Sequence, residues 1–156
     1  MFGLFKRKSI DIVAPVAGEI VMLSSVNDEV FSQKMVGDGI AIVPTDGLFC
    51  SPIDGEVSRL FPTKHAYVVK HNSGVEVMVH IGLNTVSLDG DGFTAVVSEG
   101  DSVKAGDLIV KTDLEKIITS GRETITPVII SEMANYKIVE KKSGVVTKDD
   151  PVLEVK

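Results

Sequence analysis

Two of the three histidines in the chain are spaced so that one β-hairpin can bring them together. His65 and His80 lie at the two ends of a segment in which runs of β-branched residues flank the stretch 71–74, which is rich in turn formers. If residues 71–74 form the loop, His65 lies directly opposite His80, with Cβ atoms about 5 Å apart. This register depends on the loop length, because a slip of one residue would remove the opposition.

The predicted register also sorts the remaining side chains of the hairpin onto two faces. It places Tyr67 opposite Met78 and Val69 opposite Glu76, on the same face as the two histidines. The other face carries small and β-branched residues, which are Ala66, Val68, Val75, Val77 and Val79. An apolar face of this kind is typical of a strand pair that covers a core, which favours the register.

Two neutral imidazoles that face each other outside a core suggest a nucleophile with a second ring beside it. With an unperturbed pKa near 6.5, roughly three-quarters of each ring is neutral at pH 7, and a neutral ring can attack phosphorus or bind a metal. Thr63 precedes His65 by two residues, so its hydroxyl can hydrogen-bond a nitrogen of that ring. The alternative is that two surface histidines pair by chance. His71, in the loop, is expected only to be solvated.

The elements that must position these side chains are predicted to be short strands. The chain has 156 residues, of which 44% are hydrophobic and 24% charged, as in an ordinary globular protein. Its 14 glycines and 6 prolines punctuate short β-branched runs, which indicates an all-β fold, an antiparallel β-sandwich. We expect a short N-terminal lead at residues 1–9 and one domain over residues 10–156.

Charge and cysteine content limit the classes of partner and compartment. The formal net charge is −6, so nucleic acid is not expected as a partner. The single cysteine, Cys50, cannot form an internal disulfide and is predicted to be a small core residue. With no secretory signal at Met1 and no long apolar run, these features favour a cytoplasmic protein.

An internal repeat predicts that two related halves make one sandwich. Residues 14–20, Ala-Pro-Val-Ala-Gly-Glu-Ile, match residues 51–57, Ser-Pro-Ile-Asp-Gly-Glu-Val, and a fainter third copy begins at Lys142. In each copy a turn, built on glycine and in the first two copies also on proline, enters a strand.

Only two short helices are predicted. Residues 112–115 have the form of a capping box in which Thr112 is the N-cap, and Gly121 would end that helix. The second would begin at Ser131 and run to Tyr136.

Many short blocks in a fixed order carry a resemblance to a known family. They are Val36–Ile42, Pro52-x-Asp54-Gly55, Thr63-x-His65-Ala66, Ser73–Glu76, Val79-His80-x-Gly82-x-x-Thr85-Val86, Gly92-Phe93, Gly100-Asp101-x-Val103 and Thr126–Val128. Together they resemble the IIA component of the glucose class of the bacterial phosphoenolpyruvate-dependent sugar phosphotransferase system. The similarity runs from about Ile10 to the end of the chain.

The resemblance implies a phosphoryl relay on an antiparallel β-sandwich with internal duplication. The histidine phosphocarrier protein would donate to His80 at Nε2, and His80 would donate to the cysteine of the IIB domain of a sugar permease. His65 would hydrogen-bond the phosphoryl oxygens, and Thr63 would hold His65. Such a protein is expected to be a cytoplasmic monomer that needs no cofactor or metal and that meets the inner face of the membrane transiently through the permease. Whether the N-terminal lead touches the membrane stays open.

The resemblance also implies an apolar docking surface around the two histidines. Its matching positions are Val30, Phe31, Met35, Val36, Phe61 and Met78. Many members carry acids at the positions of Asn84 and Ser87 and a phenylalanine at the position of Met78, and this chain keeps only Asp28 and Glu99 on the expected acidic rim. The preferred partner, the sugar and any regulatory targets therefore stay open.

Two other functions compete with the relay. A zinc metallopeptidase of the lysostaphin type resembles the same duplicated sandwich, but it needs a His-x-His pair, which the chain lacks. A noncatalytic binding module would leave the opposition of His65 and His80 without a use.

Overall fold

The structure, a computed structural model of the chain, describes residues 8–156, so most of the predicted lead lies outside the described residues. The strands are β1 Ile10–Val13, β2 Gly18–Met22, β3 Asp38–Pro44, β4 Leu48–Cys50, β5 Gly55–Leu60, β6 Ala66–Lys70, β7 Glu76–His80, β8 Phe93–Ala95, β9 Ser102–Val103, β10 Leu108–Thr112, β11 Thr126–Glu132, β12 Ile138–Lys141, β13 Gly144–Val146 and β14 Pro151–Val155. Within residues 8–156, two α-helices, α1 Glu29–Ser32 and α2 Leu114–Thr119, and two 3-10 helices, Leu23–Ser25 and Thr85–Leu88, lie among them.

The strands form one large sheet and two small ones, all antiparallel. The large sheet has eight strands in the order β13-β2-β3-β11-β7-β6-β5-β9. The small sheets have the orders β1-β14-β12 and β4-β10-β8. The predicted antiparallel β-sandwich is confirmed.

The main core lies between the large sheet and the two small sheets. Its buried side chains come from both layers, for example Ile42 and Val79 from the large sheet and Ile109 and Leu153 from the small ones. Cys50 belongs to this buried interior, as predicted, and burial raises the pKa of its thiol.

The internal repeat appears as two matching turns that bind each other. The amide of Val13 donates to the carbonyl of Pro52 (2.9 Å), and the amide of Cys50 donates to the carbonyl of Pro15 (2.7 Å). Each turn then enters a strand at a glycine where a Cβ atom would collide with the carbonyl of the neighbouring strand. The repeat therefore places β2 and β5 in corresponding positions near the two ends of the large sheet.

The predicted register of the β6–β7 hairpin is wrong by one residue. Lys70 lies opposite Glu76 and Ala66 opposite His80, so the loop holds five residues, 71–75, instead of four. The amide of His71 donates to the carbonyl of Val75 (2.9 Å), which places Val75 in the turn rather than in the ladder.

The corrected register changes the faces of β6. Tyr67, predicted on the histidine face opposite Met78, is fully buried in the main core opposite Val79. Its hydroxyl donates to the carbonyl of Cys50 at 2.6 Å, which satisfies the polar end of the ring inside the core. Likewise, Val69 pairs with Val77 and not with Glu76.

The helix predictions are partly confirmed. α2 forms where expected, but its N-cap is Asp113, whose carboxylate accepts the amide of Glu115 (3.1 Å); Thr112 lies in β10. The helix predicted from Ser131 to Tyr136 is wrong, because β11 continues to Glu132 as the partner of β3 and β7.

A second, smaller apolar cluster covers the other face of the large sheet. Its buried members are Leu23, Val26, Phe31, Ala41, Leu83 and Ile129. Ala41 and Ile129 lie on sheet strands, whereas Phe31 lies on α1, which the sequence did not predict. This cluster fixes segment 23–36 against the sheet beside the end of β7. None of the helices within residues 8–156 combines the length and apolar composition that crossing a membrane requires.

Candidate functional site

The rings of His65 and His80 meet at the end of the β6–β7 hairpin. Their centroids are 4.9 Å apart and their planes are nearly perpendicular, at 82°. The two rings are in contact, as predicted, although the register of the hairpin differs from the predicted one. His65 lies before the first residue of β6 and directly after Lys64, whose backbone has a φ of +61°. The alternation of the strand therefore does not set the direction of the His65 ring.

The ring of His80 is fixed by one backbone carbonyl. Its Nδ1 lies 2.7 Å from the carbonyl oxygen of Gly82, so Nδ1 carries the proton and donates it. In a neutral ring this leaves Nε2 with a free lone pair. His80 is half-buried, and burial lowers its pKa, while the Gly82 carbonyl and the Asp28 carboxylate oppose that shift.

The carbonyl of Gly82 is held by the turn that follows β7. Gly82 has a φ of +74°, and a Cβ atom there would lie 2.7 Å from Cγ2 of Thr85 and 2.8 Å from the carbonyl oxygen of Glu123. The amide of Leu83 also donates to the carbonyl of Glu123 (3.0 Å). Only glycine fits this crowded left-handed position without displacing the turn.

His65 is more deeply buried than His80 and is oriented by Thr63. Only 3% of His65 is exposed, and its Nδ1 lies 2.5 Å from Oγ1 of Thr63. Burial, and to a lesser degree the nearby His80, lower the pKa of His65 to about 4. Both rings are therefore neutral at pH 7, so that each has one N–H donor and one lone pair.

Aromatic rings continue the contact on both sides of the histidine pair. Phe31 packs against His80 with centroids 4.9 Å apart, and Phe61 packs edge-on against His65 at 5.4 Å. The guanidinium of Arg59 lies over the outer side of this row, 4.1 Å from the centroid of Phe61.

The six residues expected to form a docking surface differ in exposure. Val30 is 40% exposed and Met35 70% exposed, whereas Phe31 is only 5% exposed. The other three, Val36, Phe61 and Met78, are half-buried. Met78 lies on the same face of β7 as His80, two residues away.

The two acids expected on the rim also have structural roles. The carboxylate of Asp28 caps α1 by accepting the amide of Val30 (2.9 Å). The carboxylate of Glu99 accepts the amide of Leu60 at 2.9 Å.

His71 lies at the far end of the hairpin from the other two histidines. It follows β6, whose five residues span roughly 16 Å, and its Nδ1 caps the loop at the amide of Ser73 (3.1 Å). The structure therefore does not bring a third histidine to His65 and His80, and no group of three or more potential metal ligands occurs within residues 8–156.

Two features of the site were missed in the sequence. One is the carbonyl of Gly82, a backbone group, for which the only signal was the glycine itself. The other is Arg122, whose guanidinium binds the carbonyl of Asn84 (3.0 Å) and the hydroxyl of Ser87 (2.7 Å). The residues in these contacts are 35 or more positions apart, so a local sequence pattern could not have predicted them.

Comparison with known proteins identifies the family of the chain. Residues 10–136 match the family model described as phosphoenolpyruvate-dependent sugar phosphotransferase system, EIIA 1. A protein of Oceanobacillus iheyensis named PTS system glucose-specific EIIA component is 46% identical over 143 residues, which cover 88% of this chain and 87% of that protein. A protein of the same name from Haemophilus influenzae is 41% identical over 98% of this chain and 93% of its own length.

A solved structure shares the whole architecture. The glucose permease IIA from Mycoplasma capricolum superposes with a TM-score of 0.92 and 39% identity, over 95% of this chain and 96% of that one. Because the family model spans most of the chain and the relatives match nearly end to end, the chain belongs to the EIIA 1 family of the phosphoenolpyruvate-dependent sugar phosphotransferase system.

Proposed function

We propose that His80 accepts a phosphoryl group from the histidine phosphocarrier protein and passes it to the cysteine of the IIB domain of a sugar permease. The single observation that carries the proposal is the fixed ring of His80. Its Nδ1–H is bound to the carbonyl of Gly82, which leaves the lone pair of Nε2 free to attack. The glucose-specific names of the relatives support glucose as the transported sugar.

In the first step the lone pair of Nε2 forms a bond to phosphorus, while the bond between phosphorus and the donor's histidine nitrogen breaks. The His80 ring gains positive charge and keeps the proton on Nδ1. The carbonyl dipole of Gly82 stabilises that charge without rearranging, because the turn already fixes it. In the second step the cysteine thiolate attacks phosphorus, the N–P bond breaks and the ring returns to its neutral form.

His65 serves as a positioning donor for the phosphoryl oxygens. If the hydroxyl of Thr63 donates to Nδ1 of His65, the proton of that neutral ring lies on Nε2. That N–H is then available to the phosphoryl group on the neighbouring ring, which carries nearly two negative charges. Transfer of this kind depends mainly on positioning and charge stabilisation, which a fixed pair of rings supplies.

Partner proteins dock on the apolar surface around His80. The half-buried Met78 shares a face of β7 with His80, and the exposed Val30 and Met35 lie in the same segment as Phe31, whose ring packs against His80. Such a surface excludes water when a partner binds. The charge that develops during transfer is then stabilised by the two histidines.

The test is reconstitution of the relay. The chain is incubated with labelled phosphoenolpyruvate, enzyme I and the phosphocarrier protein, and then with a membrane preparation that contains a glucose permease with its IIB domain. We expect one label per chain and its loss to the permease when glucose is added. The variant His80→Ala should take up no label, whereas His71→Ala, the matched control, should behave as the native chain does. Undiminished labelling of His80→Ala would refute the proposal.

A further inference from the structure

Thr85 is a fully buried threonine in the turn that follows β7, and its hydroxyl binds a backbone carbonyl of that turn. Its Oγ1 donates to the carbonyl oxygen of Ile81 at 2.5 Å, and neither residue has any exposed surface. Because water does not reach this position, it cannot replace the hydroxyl as a donor to the carbonyl. The hydroxyl therefore holds the peptide group between Ile81 and Gly82 in one orientation.

The next peptide group, between Gly82 and Leu83, is held by the segment that precedes β11. The amide of Leu83 donates to the carbonyl of Glu123 at 3.0 Å. In a trans peptide group the N–H and the C=O lie in one plane and point in opposite directions, so this bond directs the carbonyl of Gly82 away from Glu123. That carbonyl lies 2.7 Å from Nδ1 of His80. The orientation of this peptide group thus decides whether the His80 ring meets a carbonyl or an amide.

Gly82 joins the two peptide groups but does not itself fix the angle between them. Glycine has no Cβ atom, so its backbone is freer than that of any other residue, and the φ of +74° depends on the contacts of the turn. Thr85 supplies two of these contacts. Its hydroxyl holds the carbonyl of Ile81, and its methyl carbon Cγ2 lies 2.7 Å from the position that a Cβ atom of residue 82 would occupy.

Rotation of the peptide group between Gly82 and Leu83 would change the tautomer of His80. The N–H of Leu83 would face Nδ1 in place of the carbonyl, and Nδ1 would accept a hydrogen bond instead of donating one. In a neutral imidazole the proton lies on the nitrogen that does not accept, so it would move to Nε2. The lone pair that attacks phosphorus would then be lost.

We propose that Thr85 is a positioning residue of the phosphoryl transfer, whose hydroxyl keeps the carbonyl of Gly82 on Nδ1 of His80 and thereby keeps Nε2 unprotonated. The inference rests on the proposed function and adds a buried residue to it. Thr85 acts through the turn and touches neither the phosphoryl group nor a partner, because it is fully buried. Loss of its hydroxyl should therefore lower kcat and leave KM for the phosphocarrier protein unchanged.

The test compares Thr85→Val, which keeps the shape of threonine without the hydroxyl, with Thr85→Ser, which keeps the hydroxyl without the methyl group. Ser51→Ala is the matched control, because Ser51 is equally buried and its hydroxyl donates to the carbonyl of Ile53 at 2.7 Å, directly after β4. Nitrogen NMR of the unphosphorylated proteins reports the tautomer of His80. We expect an unprotonated Nε2 in the native chain, Thr85→Ser and Ser51→Ala, and a partly protonated Nε2 in Thr85→Val.

The kinetics of transfer from the phosphocarrier protein provide the second measurement. In Thr85→Val kcat should fall about fivefold to tenfold, the factor that corresponds to one buried hydrogen bond, with KM unchanged. Thr85→Ser and Ser51→Ala should keep the native kcat even where their melting temperatures are lower. If Thr85→Val does not fold, Thr85→Ala takes its place, and its difference from Thr85→Ser isolates the same hydroxyl.

Three results would overturn the proposal. Native His80 signals and a native kcat in Thr85→Val would show that the hydroxyl only stabilises the turn. A fall in kcat with unchanged His80 signals would show that Thr85 does not act on the tautomer, and equal effects of Thr85→Val and Thr85→Ser would assign the effect to the methyl group. Failure of the proposed function is distinct from these results. A native chain that takes up no phosphoryl group would refute the relay, whereas the NMR comparison would still decide whether the hydroxyl orients the ring.

Discussion

At the scale of single residues, the two histidines of the site differ in burial and in hydrogen-bond partner. His80 is half-buried and bound to a backbone carbonyl, whereas His65 is almost fully buried and bound to the hydroxyl of Thr63. Both environments hold the rings neutral, but only His80 keeps Nε2 on an accessible side chain. The difference in their surroundings supports a division into a nucleophile and a positioning donor.

Burial of His65 predicts a specific dependence of stability on pH. Its pKa is about 4 in the folded chain against an ordinary value of 6.5, so between these values the unfolded chain binds more protons. The free energy of unfolding should therefore fall as the pH falls from 6.5 to 4. Denaturant unfolding of the native chain and of His65→Gln across this range measures the effect, and the variant should lose less stability. Parallel curves for the two proteins would contradict the low pKa of His65.

Because Gly82 has a left-handed backbone conformation in a crowded turn, we predict that a methyl group added at this position disturbs the ring of His80. Gly82→Ala should lower the melting temperature and the labelling of His80, because its Cβ atom meets Thr85 and the carbonyl of Glu123. Gly121→Ala is the control: it has a similar φ of +81° but no atom within 4 Å, so it should cost only about 1–2 kcal/mol of stability. It should still be labelled normally. Equal labelling of both folded variants would show that the Gly82 carbonyl does not matter.

At the scale of elements, the hairpin and segment 23–36 bring the site together. β7 presents Met78 and His80 on one face, and α1 places Phe31 against the His80 ring. Phe31 is thus buried beneath the surface that a partner would contact, whereas Met35, four residues later, is exposed.

This arrangement predicts opposite effects for two charged substitutions. Met78→Lys should keep its melting temperature within a few degrees and lose most of its transfer rate from the phosphocarrier protein, because a charge in a desolvated contact weakens binding. Phe31→Asp should destabilise the fold by about 3–5 kcal/mol, because it removes a buried ring and buries a carboxylate.

Met35→Asp, at an exposed position of the same segment, serves as the control for Phe31→Asp. Its stability should change by about half a kcal/mol, with slower transfer. Thermal melting and transfer kinetics of the three variants provide the comparison. A stable Phe31→Asp, or normal transfer by Met78→Lys, would place the docking surface elsewhere.

In the β6–β7 hairpin, the sequence predicts the strands and the contact between the histidines but not the register. The alternation of apolar residues predicted two strands and a contact between the two histidines. It did not determine the register, because β6 is a central strand buried on both faces and residues 66–69 are apolar in either register. The register is set instead by the length of the loop, which holds the five residues 71–75. Similarly, α1 has only four residues, too few for a helical period, so only its Asp28 cap could have indicated it.

At the scale of the whole molecule, the duplicated turns and the order of the strands explain why the site lies where it does. The repeat was visible in the sequence because Gly18 and Gly55 both permit close approach of a neighbouring strand. The contacts between the two copies, and the placement of β7 and β11 beside each other at the centre of the large sheet, are long-range and were not predictable from local patterns. His80 ends one of these central strands, on the face that the small sheets leave uncovered.

The measurement that tests the account most directly is the location of the phosphoryl group in the labelled native chain and in His65→Gln. Phosphorus and histidine nitrogen NMR after incubation with phosphoenolpyruvate, enzyme I and the phosphocarrier protein would identify the modified ring and nitrogen. We predict one phosphoryl group on Nε2 of His80 in both proteins, formed more slowly in His65→Gln, whose melting curve serves as the check on folding. A phosphoryl group on His65 of the native chain, or on Nδ1 of His80, would contradict the account.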